Sequence, residues 1–164
     1  MTRSNAREIA VHFVYALGFG NENADQLLGE RLTRENFAQV AEEVTLYSQF
    51  PNEKQQEYIQ DLVKGVFAHG PELDEYIARY AVGWSFARIP RMAAAIMRTA
   101  MYEVLYIPDI PNAAAINDAV EIAKGYEPPE VVSFINGILG TFVRTEFQDT
   151  PDKPVKAAAE PVEE

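Results

Sequence analysis

The chain has 164 residues, 48% of them hydrophobic, with two histidines and no cysteine. It can therefore bury the core of an ordinary domain, and it is excluded from disulfide staples, thiolate nucleophiles and cysteine–metal sites. Its formal charge of −11 argues against a generic nucleic-acid binder, whose footprint is basic, but most of the deficit lies in residues 21–80 and 148–164.

The first helix is expected to start near Ser4 as N-cap, with Glu8 in its first turns and Ile9, Phe13, Ala16 and Leu17 at helical spacing. Gly18 and Gly20 end it. Residues 23–48 read as one or two short polar helices anchored by Leu27, Leu28, Leu32, Phe37, Val40 and Val44. Pro51-Asn52 opens a stronger helix whose stripe is Tyr58, Ile59, Leu62, Val63, Val66 and Phe67, closed at His69-Gly70-Pro71. A shorter one runs from Glu72 to about Val82 and buries Leu73, Ile77 and Tyr80. After Gly83-Trp84, Pro90 suits the first turn of a helix carrying Met92, Ala93, Ile96, Ala100 and Leu105. Pro108 to Pro111 break it, and residues 112–124 form a small-residue helix ended by Gly125. Pro128-Pro129 open the last helix, apolar through Val131, Phe134, Ile135, Ile138, Leu139, Phe142 and Val143. No segment alternates with period two, so the fold class is all-α. Residues 148–164 mix proline, charge and small side chains and read as a disordered acidic tail.

Asn117, Glu103 and Asn136 sit in otherwise apolar patterns and suggest a buried polar network between helices. Gly137 in mid-helix suggests close helix packing, and Trp84 a core or junction anchor. Arg98 and Arg88 suit ion pairs with acids or contacts with a protein partner. No catalytic, cofactor-binding or metal motif is read: there is no phosphate loop, no G-x-S-x-G and no H-E-x-x-H. No apolar run approaches the ~20 residues that span a bilayer. The opening Met1 to Glu8 also lacks a signal-like stretch, so a cytoplasmic protein is expected.

Four collinear blocks carry a family resemblance. Ala6-Arg7-Glu8-Ile9-Ala10-Val11-His12-Phe13-Val14-Tyr15 is similar to the ARE-x-A-x-Q-x-LY opening of the NusB family of transcription antitermination factors. Trp84, Arg88 and Ile96-Met97-Arg98-Thr99-Ala100-Met101-Tyr102-Glu103 resemble its ILR-x-A-x-YE core. Ile110-Pro111 with Ile116-Asn117-Asp118-Ala119-Val120-Glu121-Ile122-Ala123-Lys124 resembles IP…INEAVELAK, and Phe134-Ile135-Asn136-Gly137-Ile138-Leu139 resembles FVNGVL.

The resemblance implies two small helical bundles, about 3–82 and 84–147, packed as one domain over 1–147. It implies a factor that binds boxA RNA together with the ribosomal protein NusE and joins the RNA polymerase antitermination complex on ribosomal RNA operons, without catalysis or cofactor. A protein–protein adaptor of the same fold, its RNA affinity weakened, stays open, as does homodimerisation. Carried over by position, the RNA-binding residues are Arg3, Arg7, Tyr15, Glu130 and Phe134. Two departures stand out: Ser4 and Asn5 replace frequent arginines, and Ala93 replaces a common aspartate.

Each assignment has a plainer alternative. Arg3 and Arg7, four apart on one helical face, suit phosphates or stacked bases, or are simply solvated. Phe134 suits base stacking, yet repeats with Ile138 and Phe142 as a core stripe would. Tyr15 stacks or binds phosphate, or is half-buried with a wet hydroxyl. Glu130 accepts from base edges, or only stabilises its helix start. His12, in place of a family glutamine, is an RNA contact or a surface residue.

Overall fold

A computed structural model describes residues 1–147, so the expected tail 148–164 lies outside the described residues. Among these the chain is all-helical and divides into two units, Met1–Ala68 and a second beginning at His69.

In the first unit α1 (Arg3–Leu17) and α4 (Glu53–Ala68) pack along each other, and α2 (Ala24–Arg31) lies against both. The short α3 (Arg34–Val40) and a 3₁₀ turn, Thr45–Ser48, complete it. Side-chain caps fix the helix starts. Thr2, not the expected Ser4, caps α1: its Oγ1 accepts from the Asn5 N–H (3.0 Å). Asn23 and Gln26 form a reciprocal capping box, and Asn52 and Gln55 exchange the same pair of hydrogen bonds at 2.9 Å each. Ile9, Phe13, Leu27, Phe37, Ile59 and Leu62 are buried in the core, each contributing about 1.5–3 kcal/mol by leaving water.

The second unit holds α5 (Gly70–Tyr80), a 3₁₀ turn Phe86–Arg88, α6 (Arg91–Tyr106), α7 (Asn112–Lys124) and α8 (Pro129–Glu146). α6 is its axis: 12 of its 16 residues are buried, and α5, α7 and α8 all pack on it. A helix buried nearly all round needs small side chains for close approach, and Ala93, Ala94, Ala95 and Ala100 supply them. The division falls after Ala68 and not at the expected 82–84, because α5 packs on α6 and α8. Pro90 caps α6 from outside instead of opening its first turn.

Three other expectations are corrected. Of the proposed polar network only Glu103 is buried; Asn117 and Asn136 are exposed, on the faces of α7 and α8 opposite the apolar stripes. Gly137 is exposed, and a Cβ there would meet nothing within 4 Å, so it marks no close packing. Tyr80 is half-buried, its hydroxyl donating to Glu146.

Candidate nucleic-acid interface

The surface of α1 follows from its stripes. Ala6, Ile9, Ala10, Phe13 and Val14 face inward; Ser4, Glu8, His12 and Tyr15 lie half-buried along the flank. Arg3 is exposed at the first helical position. Its guanidinium sits 4.8 Å from the centre of the Tyr58 ring on α4. Arg7 is 5% exposed, and its guanidinium lies 5.9 Å from the same ring. One tyrosine thus lies against both cations, and of the two arginines only Arg3 stands open to solvent. Gln55 Nε2 also donates to the Met1 carbonyl at 2.6 Å, fixing the chain start to α4.

Further along α1, Tyr15 meets Phe19 edge to face, 4.9 Å between centroids, and Phe19 is 59% exposed. His12 Nδ1 and the buried Tyr47 hydroxyl share a 2.8 Å hydrogen bond. Burial holds the imidazole below its ordinary range, against the opposing pull of the Glu8 carboxylate, and pushes the Tyr47 phenol up to about 12. His12 is thus half-buried and tied to Tyr47 inside the first unit.

In the second unit Glu130 is exposed at the second position of α8, where the helix dipole favours negative charge. Phe134, one turn on, is half-buried at the edge of the apolar stripe. It stacks on Trp84, with centroids 4.4 Å apart and planes at 31°. Trp84 is itself exposed, so it is no core anchor. Arg98 is taken up by Asp74, Nε to Oδ1 2.6 Å. Ala93 is fully buried, yet a carboxylate still reaches this helix start. Glu127, from the α7–α8 connection, accepts a hydrogen bond from the Ala93 N–H, and burial pushes its carboxyl up against that bond.

Fold and surfaces define an all-helical scaffold in two units, with an exposed cation at the start of α1 and exposed rings just past α1 and in the segment before α6. The chain belongs to the NusB family, whose family model matches residues 4–144. It is 38% identical over 147 residues to the transcription antitermination protein NusB of Acetivibrio thermocellus, covering 90% of this chain and 92% of that protein. It is 39% identical over 140 residues to that of Carboxydothermus hydrogenoformans, covering 85% and 91%. Among solved structures, T. maritima NusB superposes with a TM-score of 0.73 at 26% identity, over 88% of this chain and 92% of that one. No helix among the described residues is long and apolar enough to cross a membrane.

The sequence pattern alone did not single out Trp84, Tyr58 and Phe19 as neighbours of the candidate residues. A signal existed for each: Val82, Trp84 and Phe86 alternate in a segment with no strand to bury them, Phe19 follows a glycine helix end, and Tyr58 lies four residues before Leu62 on the first unit's longest stripe.

Proposed function

We propose that this protein is an RNA-binding transcription antitermination factor that engages boxA RNA together with the ribosomal protein NusE and joins the RNA polymerase elongation complex on ribosomal RNA operons. The observation that carries the reading is family membership over residues 4–144. Arg3, Tyr15, Glu130 and Phe134 are all at least partly solvent-accessible, as residues that touch RNA must be. In this reading Arg3 meets phosphate, Tyr15 and Phe134 offer ring faces, and Glu130 accepts from base amino groups. Arg7 acts from the inside, as a positioning residue that shares Tyr58 with Arg3.

A chain of charge −11 repels a polyanion, so affinity alone should be low and rise when a basic partner adds phosphate contacts. Fluorescence anisotropy of a labelled boxA-type single-stranded RNA, with and without NusE, tests this. Binding at least tenfold tighter and sequence-selective in the mixture is expected. The burial of Arg7 favours one second reading, an adaptor with faded RNA affinity. NusE binding that leaves RNA affinity unchanged would establish that reading instead.

A further inference from the structure

We propose that Trp84 is a base-stacking residue of the RNA surface, backed by Phe134, so that an unpaired nucleobase extends a two-ring stack. This rests on the RNA-binding reading and adds a residue that the family resemblance does not assign.

The local backbone is built to present the indole. Gly83 has φ +88°, a conformation that side chains resist, and the Trp84 N–H donates to the Ala81 carbonyl at 3.2 Å. This turn, directly after α5, lays the indole on Phe134 at 4.4 Å. One face of the indole is covered, yet 38% of the residue remains open, beside Phe86 at 39% and Val82 at 88%. Three large apolar side chains left outside on so short a segment mark a binding surface.

The chemistry of the rim selects the occupant. Arg88 ends the segment; it is exposed, and its guanidinium has no acid partner among the described residues. Glu130, one turn before Phe134, is exposed as well. The open face of an indole backed by a second ring suits a flat π face, whereas aliphatic protein side chains seek concave pockets. Ring, cation and carboxylate acceptor match the three parts of a single-stranded nucleotide: its base face, its phosphate and the amino groups on its base edge.

Trp84 is the single tryptophan of the chain, so its emission reports on this site alone. The full-length protein with NusE is titrated with a short boxA-type single-stranded RNA, following anisotropy of the labelled RNA and tryptophan emission together. The Trp84→Phe protein in the same mixture supplies the background. Quenching that tracks binding, and that disappears when one nucleotide of the RNA is made abasic, is expected. Trp84→Ala should weaken binding roughly tenfold or more and Trp84→Phe less than threefold, with helicity unchanged by circular dichroism. RNA binding without quenching, or quenching that every abasic RNA reproduces, overturns the stacking role and leaves the RNA-binding reading intact. Quenching by NusE alone, indifferent to RNA, overturns it in favour of a protein contact. Absence of RNA binding under all conditions overturns both.

Discussion

At the start of α1 two arginines lie against one ring: Arg3 and Arg7 approach Tyr58 at 4.8 and 5.9 Å, and Arg7 is buried. Around the start of α8 the rings stay outside, Trp84 stacked on Phe134 with Phe86 exposed nearby and Arg88 without an acid partner among the described residues. The residue types are the same and their use is opposite. At the first site Tyr58 serves the scaffold and Arg3 faces solvent; at the second the cation Arg98 is held by Asp74 while Trp84 and Phe86 face solvent. Access to solvent is therefore decided by where the backbone places a residue, on a helix face or in a turn, not by its chemistry alone.

The largest expected effect concerns the core of the unit that carries the exposed rings. Phe142 is fully buried on α8, edge to face with Tyr76 and Phe147. Phe142→Ala should cost about 3–5 kcal/mol in urea unfolding, since the side chain's transfer energy and the cavity it leaves add. A loss below ~1 kcal/mol would show that the second unit does not depend on this side chain.

The two arginines test the contrast directly. Arg7→Ala should cost about 1–3 kcal/mol of stability, because it removes both the packing of the buried stem and the cation–π interaction with Tyr58. Arg3→Ala, which loses only an exposed contact with Tyr58, should cost less than Arg7→Ala, about 0.5–1 kcal/mol, and lower the log–log salt slope of RNA binding by ~0.7 for each phosphate that Arg3 neutralises. The reverse pattern, with Arg3 structural and Arg7 ligand-binding, would break the division between an internal and an open cation.

The burial of Arg7 was legible in the sequence, because Ala10, Val11 and Val14 follow it at the spacings of one helical face. Its charge points toward solvent, whereas the stripe decides. The same rule explains Asn117 and Asn136, whose apolar neighbours in sequence lie on another face of the helix. Helix bounds were readable wherever a proline or an asparagine cap forces them, as at 51–53, 111–112 and 128–129. The boundary between units was not, because α5 resembles its predecessor in pattern and only tertiary packing gives it to α6 and α8. Nor was the Trp84–Phe134 stack, which joins residues 50 positions apart through a turn at Gly83.

A smaller effect separates the units by pH. His12 is held below its ordinary value of 6.5 by burial. Between the lowered value and 6.5 the unfolded chain binds more protons, so stability falls as pH drops from about 6.5. Glu127 works in the opposite sense: its carboxyl is pushed above its ordinary 4.5, so its contribution is present at low pH and disappears as pH rises through the raised value. His12→Gln should remove the first slope alone. Urea midpoints measured from about pH 5 to 7 check this, and an unchanged slope would mean that the His12–Tyr47 pair does not carry it.

The smallest effect comes from a residue that neither core uses. Gly137 lies inside α8 with open space where a Cβ would stand, and Gly29 in α2 is placed likewise. Alanine restricts the unfolded chain and costs nothing sterically at such a site, so Gly137→Ala should stabilise by about 0.5–1 kcal/mol. Gly29→Ala should gain somewhat less near the end of its shorter helix. Gly137, however, is three residues after Phe134, on the helix whose half-buried ring backs Trp84. If RNA binding with NusE weakens while stability rises, glycine is there for close approach of a ligand. If RNA binding stays as in the parent while stability rises, the approach to α8 stops at Phe134, and the open rings, not the helix backbone, set its limit.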